Sequence, residues 1–166
     1  MGFRGPSRRR RGADPQAVAE LAGDGALLKW PNDVLIEGRK LAGILVEGRP
    51  QQGWAVLGIG LNVAVKLEEL PPELRARAAS LGQTQDAIEP TLRRLLAALA
   101  QRLQEPTAQT LDAWRSRDAL YGREIAWDSG RGRAQGIDGT GRLLVALGNG
   151  GRTTLDAGEV HLEPAG

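Results

Sequence analysis

Four short apolar runs, ALLKW, DVLIE, KLAGILVE and WAVLGIGLNVAV, crowd into residues 26 to 65. Each is rich in Val, Ile and Leu and bounded by Gly, Pro, Asn or Asp, the pattern of a β-strand. The intervals PND, EGR and EGRPQQG have the composition of tight turns. Strands are therefore predicted at about 26–30, 33–37, 40–48 and 54–63. Ahead of them DPQAVAELA reads as a helix over 14–22, with Asp14 as N-cap and Pro15 in the first turn. Behind them helices are predicted at 71–80, 89–104 and 106–117. In the second of these Leu92, Leu95, Leu96, Leu99 and Leu103 keep helical spacing, and Pro90 sits in its first turn. Beyond Tyr121 the runs REIAWD, RAQGID, RLLVAL, RTTLD and EVHLE recur about every 8 to 10 residues with Gly-rich turns between them. That pattern predicts a small β-barrel. The expected fold class is α+β: a mixed or antiparallel sheet backed by helices over 14–117, then the barrel over 118–166. Trp114 and Trp127 are expected in the core where the two meet.

Composition narrows the chemistry. The chain of 166 residues suits one domain with a small appendage, and 41% apolar and 25% charged residues exclude a collagen or a fully disordered chain. There is no cysteine, so disulfides, thiolate zinc sites and cysteine nucleophiles are excluded. The single histidine, His161, excludes His-based triads and two-His metal sites and is expected at a strand surface. No apolar run approaches the roughly 18 to 20 residues of a membrane span, and no signal peptide is recognisable, so a cytoplasmic protein is expected. The net charge of +2 is a local effect. Arg4, Arg8, Arg9, Arg10 and Arg11 precede the first acid, and without them 17 basic residues face 20 acidic ones. Residues 1–13 are expected to be a disordered basic arm that touches nucleic acid only weakly, through phosphate. Specific DNA binding is not expected, because the body of the chain lacks a basic stripe.

The predicted strand from Trp54 to Val63 has two unlike faces. Ala55, Leu57, Ile59, Leu61 and Val63 form an apolar face that is expected to be core. The other face carries Trp54, Val56, Gly58, Gly60 and Asn62. Glycines inside a strand mark a bulge, a close helix or a ligand, and these three readings stay open at this point. Only three lysines occur, and Lys40 opens a strand three residues before Gly43. A lysine there is either a solvated edge charge or a counter-charge for phosphate. With Asn32 and Asp33 of the adjacent turn as oxygen ligands for hydrated magnesium, the set suits a nucleotide.

In order and spacing, KWPNDV (Lys29 to Val34), RKLAGILVE (Arg39 to Glu47) and GIGLNV (Gly58 to Val63) resemble the central block of the biotin–protein ligases. GIDGTGRLLV (Gly136 to Val145) and GEVHLE (Gly158 to Glu163) are similar to that family's SH3-like C-terminal barrel. The resemblance runs from about residue 26 onward. It implies a class II synthetase-like catalytic domain that uses ATP and Mg²⁺ to convert biotin to biotinyl-5′-adenylate. The biotin then passes to a lysine of a biotin carboxyl carrier protein. It implies that Lys40 contacts biotin and the reacting phosphate, and that Asp33 serves the acceptor amine as the second catalytic residue. Gly43, Gly58, Gly60, Asn62, Asn32 and Trp30 complete the implied binding set, with Asp33 and Asn62 as the implied magnesium ligands. A homodimer is also consistent with the family.

The family's Gly-Arg-rich loop and its Ser, Thr and Gln contacts to biotin have no match ahead of Lys29. Gly130-Arg131-Gly132-Arg133 has the composition of that loop but reads as a hairpin turn. The resemblance therefore fits the second half of a ligase. A truncated, inactive form stands beside an active one, and an exposed strand edge with apolar patches is expected. The alternatives are a lipoate–protein ligase-like enzyme and a non-catalytic module that docks a carrier or nucleic acid. The winged helix with which some family members bind DNA has no match here.

Overall fold

The computed structural model describes residues 13–163, and the expected basic arm lies outside them except for residue 13. In chain order the elements are α1 (Ala13–Ala22), β1 (Ala26–Lys29), β2 (Asp33–Ile36), β3 (Arg39–Arg49), β4 (Trp54–Leu61), α2 (Pro72–Arg75), α3 (Ile88–Arg102) and α4 (Thr107–Arg115). They are followed by β5 (Glu124–Trp127), β6 (Gly130–Ile137), β7 (Leu143–Ala146), β8 (Arg152–Leu155) and β9 (His161–Leu162).

The first four strands form an antiparallel sheet in sequence order, β1-β2-β3-β4. The connections are too short for anything but hairpins. Between β2 and β3, Glu37 and Gly38 both adopt positive φ, 50° and 75°. That backbone matches the right-handed strand twist, and Gly38 takes it without strain. Among the described residues parallel pairing is confined to two isolated bridges, Leu28 with Asp118 and Lys40 with Ala78.

β2 and β3 do not pair regularly. Val34 faces Ala42 while Leu35 faces Lys40, so Leu41 is an extra residue on β3. Leu41 and its neighbour Ala42 are both buried, as is Ile44. A bulge lets two successive side chains point inward.

α1 packs on β1, β2 and β3 and also on α3 and α4. The helical stripe predicted on α3 is split. Leu95 is buried and Leu99 partly so, whereas Leu92, Leu96 and Leu103 are exposed. The buried line of α3 runs through Thr91, which donates to Gln83 Oε1 (3.0 Å), and Leu95, and near its end Arg102 pairs with Glu20 of α1. A helix packed along one line leaves leucines a hundred degrees round it in water.

The helix expected over 71–80 is confined to Pro72–Arg75. From Arg77 the chain runs alongside β3: Lys40 N donates to the Arg77 carbonyl (2.7 Å) and Ala79 N to the Lys40 carbonyl (2.8 Å). Tertiary pairing overrides the helix propensity of the Ala-rich stretch.

β5 to β9 form a second antiparallel sheet in the order β8-β7-β6-β5-β9. Its inner face carries Ile125, Ala134, Leu143 and Val145, which join Leu28, Leu41 and Leu120 in one continuous core. Among the described residues β8 and β9 do not pair, so the sheet is open where a barrel was expected to close. Gly130 to Arg133 lie within β6 and form no turn. Gly130 lies under the Trp127 ring, and a side chain at Gly132 would collide with the Ala146 carbonyl. The junction is as expected for Trp114, which is buried, while Trp127 is only partly so. His161 is exposed on β9.

The face of β4 expected to be core is half-covered: Leu57, Ile59 and Leu61 are only partly buried, and Ala55 is exposed. β4 is an edge strand, with only β3 beside it among the described residues. Leu45, Val46, Trp54 and Val56 stand exposed near this edge.

Candidate active site

Asn32, Asp33, Lys40, Gly43, Ile44, Leu45, Gly58, Ile59 and Gly60 line one cleft of about 580 Å³ on the β3–β4 face. Small-molecule sites fall in the range of roughly 300 to 1,000 Å³. Six residues singled out from the sequence thus come together: Asn32, Asp33, Lys40, Gly43, Gly58 and Gly60.

The bulge at Leu41 aims the lysine. Residues 40 and 43 of an unbroken strand point to opposite faces. With one extra residue between them, the Lys40 side chain lies across Gly43. A β-carbon at Gly43 would stand 3.1 Å from both Cε and Nζ of Lys40 and 3.8 Å from Oδ1 of Asp33. Gly43 therefore leaves the lane along which Lys40 reaches Asp33. Their ion pair is 2.7 Å long, with the Asp33 side chain 24% exposed and that of Lys40 52% exposed. Exposed pairs of this kind add at most about 1 kcal/mol to stability. The sequence shows both residues but not the bulge, since one extra residue in a strand has no compositional mark.

Gly58 and Gly60 are set apart by what is missing around them. The register of β4 on β3 is continuous from Ala42–Leu61 to Arg49–Trp54, without a bulge. A β-carbon at Gly58 would make ordinary contacts with Leu45 at 3.8 and 4.0 Å, and one at Gly60 would meet the Gly43 carbonyl at 3.8 Å. Neither the backbone nor a close neighbour requires a glycine, so of the three readings the bulge and the close helix fall away. What these glycines supply is the open volume of the cleft.

Asn62 and Trp30 do not line it. Asn62 Nδ2 donates to the carbonyls of Ala79 (2.9 Å) and Lys40 (3.5 Å), tying the 77–81 segment to the backbone that carries the lysine. Trp30 is 4% exposed, and its Nε1 donates to the Gly141 carbonyl in the turn between β6 and β7 (3.0 Å). Trp54, named with the same strand face, is also outside the lining. Ile44, Leu45 and Ile59 join the lining without having been singled out. Their strand neighbours Gly43, Gly58 and Gly60 were the available signal.

The donor set for a metal is thin. Asp33 is the one carboxylate of the cleft, and its Oδ1 already faces the Lys40 ammonium. Among the described residues no three His, Cys, Asp or Glu side chains come together. The oxygens lining the cleft do not build a magnesium site of the all-protein kind. What the cleft offers is a fixed cation beside a carboxylate over a flat glycine floor, an arrangement suited to an anionic, planar ligand.

The same architecture is found in solved biotin protein ligases. The enzyme of Aquifex aeolicus in complex with biotin and ATP superposes with a TM-score of 0.76 at 24% identity, over 98% of this chain and 74% of that one. Residues 16–63 match the model of the biotin/lipoate A/B protein ligase family, and residues 123–162 match that of the biotin protein ligase C-terminal domain. The chain is 37% identical over 145 residues to the biotin–[acetyl-CoA-carboxylase] ligase of Mycobacterium tuberculosis, covering 81% of this chain and 53% of that one. It is 34% identical over 148 residues to the enzyme of the same name from Paracoccus denitrificans, covering 80% and 61%. The chain belongs to the biotin protein ligase family. It spans about half the length of the curated relatives it matches. The match begins at residue 16, so α1 belongs to it, ten residues earlier than the resemblance read from the motifs. No helix among the described residues is long and apolar enough to cross a membrane.

Proposed function

We propose that the cleft is the biotin- and ATP-binding site of a biotin–[acetyl-CoA-carboxylase] ligase, and that the chain serves adenylation of biotin followed by its transfer to a carrier lysine. The observation that carries this reading is the Lys40–Asp33 pair over the floor of Gly43, Gly58 and Gly60. In the first step a carboxylate oxygen of biotin attacks the α-phosphorus of ATP, and pyrophosphate leaves with the electrons of the broken P–O bond. Negative charge builds between two anions, and a cation already fixed in place lowers that barrier without reorganising. Lys40 is that cation. In the second step the acceptor amine attacks the acyl carbon of the mixed anhydride and AMP departs. The amine must first lose a proton, and Asp33 at the cleft wall is the acceptor for it. Magnesium bound to ATP would supply counter-charge at the phosphates, and Asp33 is the one cleft carboxylate that would meet it. The carrier partner is a biotin carboxyl carrier domain, in keeping with the names of the curated relatives.

Biotin-dependent exchange of pyrophosphate into ATP tests the first step, with circular dichroism on the same sample to show that it is folded. Lys40→Ala is expected to keep the fold and to lower exchange by about 10² to 10³. Exchange by Lys40→Ala near the wild-type rate overturns its role, and no exchange by folded wild type overturns the activity of this chain. The matched family model covers lipoate ligases too, so labelled biotin competed with lipoate decides the substrate. Biotin is expected to win.

A further inference from the structure

We infer that the turn from Asp138 to Arg142, between β6 and β7, is a positioning element for the cleft and acts through Trp30. Its effect on catalysis rests on the reading of the cleft as an adenylation site; its effect on the geometry of Lys40 does not.

A buried indole N–H needs an acceptor, and Trp30 finds its own 111 residues away, at the Gly141 carbonyl. That carbonyl is held by a turn braced from within. Asp138 Oδ1 accepts from Thr140 N (2.8 Å), Thr140 Oγ1 (2.7 Å) and Arg142 N (3.1 Å), while Oδ2 accepts from Arg142 Nε (2.7 Å). The backbone closes the same turn, with Gly141 N donating to the Asp138 carbonyl at 3.1 Å. At its base the Ile137 carbonyl accepts from Arg115 of α4 at 3.2 Å. The turn is therefore stiff and fastened to the helical layer.

On the other side of Trp30 the chain enters the cleft within two residues. The Asn32 carbonyl accepts from Ile44 N (2.9 Å), and Asp33 then meets Lys40. Between that Asn32 bond and the Lys29–Asp33 ladder pair that closes the turn, the indole bond ties the turn to residue 141. A position needing only apolar bulk is served as well by Phe or Leu. The indole bond across the two sheets gives Trp30 a directional role, which makes Asp138 and Trp30 positioning residues.

The three lysines make the test readable. The 166-residue chain with ¹³C at lysine Cε gives three sets of signals, Lys40→Arg identifies those of Lys40 by removing them, and Asp33→Asn gives their positions without the ion pair. In Asp138→Ala and in Trp30→Phe the Lys40 signals are expected to move toward their positions in Asp33→Asn. Lys66, which pairs locally with Glu69, is expected not to move. Asp138→Asn keeps an oxygen for the Thr140 and Arg142 amides and is expected to restore the wild-type positions. The dissociation constant for biotin is expected to rise on the order of tenfold in the first two variants, the equivalent of about 1.4 kcal/mol. Wild-type Lys40 signals in folded Trp30→Phe and folded Asp138→Ala overturn the inference; should Asp138→Ala fail to fold, Trp30→Phe alone decides it. Failure of wild type to bind biotin overturns the proposed function instead and leaves the lysine signals to judge the positioning role.

Discussion

The chemistry of this chain depends on where single side chains are allowed to lie. Lys40 lies across Gly43 to reach Asp33, where a β-carbon would crowd its end at 3.1 Å, and the space above Gly58 and Gly60 is left open by the described residues. A different kind of residue is Asp118, at the seam between the two sheets. Its Oδ1 accepts from Leu120 N at 2.8 Å, while Oδ2 is buried with no hydrogen-bond partner among the described residues. Burial pushes its carboxyl above the usual carboxylate range, against the opposing pull of the Leu120 and Tyr121 amides. The folded chain thus holds this proton more tightly than the unfolded chain does. The contribution to stability is complete below the ordinary carboxylate pKa and is lost as pH rises through the elevated one. Asp118→Asn has no proton to lose and gains no buried charge as pH rises. Urea midpoints measured from pH 3.5 to 7 are expected to shift in favour of Asp118→Asn relative to wild type as pH rises. A gap that stays constant with pH contradicts this account of Asp118.

Among the elements, β3 does the most to assemble the site. Its bulge turns Lys40 onto the face of Gly43, and its backbone at residue 40 is gripped by the extended segment from Arg77 to Ala79. Asn62 closes that grip through its bond to the Ala79 carbonyl. Asn62→Ala is expected to cost about 1 kcal/mol, the net value of one such hydrogen bond, read as a lower urea midpoint; an unchanged midpoint contradicts the tie. The strands themselves are legible in the sequence, because the apolar runs and Gly-rich turns of residues 26 to 61 leave little choice. So are α3 and α4, and six of the nine cleft residues. The bulge at Leu41 is not legible, nor is the extended run after Arg75, since both are decided by contacts with distant chain. The same holds for the open second sheet. Alternating runs mark its strands, but whether the first and last of them meet depends on twist and length. Leu92 and Leu96 fit the helical period of α3 and still face water, because periodicity names a face and only a neighbour can bury it.

Among the described residues the two sheets share one core, and the cleft sits on the sheet whose outer strand, β4, has a partner on one side only. Trp30 carries the seam between the sheets to the wall of the cleft, so the second sheet is part of how the site is built. The edge at β4 leaves the cleft open on one flank, with Leu45 and Val56 exposed beside its floor. What has to be established first is that this open cleft binds at all. The direct measurement is equilibrium binding of labelled biotin, with and without ATP, to wild type and to Gly58→Val, with melting curves for both. A β-carbon at Gly58 meets only ordinary contacts and the cleft lies open above it, so both chains are expected to melt alike. Wild type is expected to bind biotin saturably and Gly58→Val to bind at least tenfold more weakly, the filled floor excluding the ligand. Equal binding by a folded Gly58→Val, or no binding by folded wild type, contradicts the assignment of the cleft.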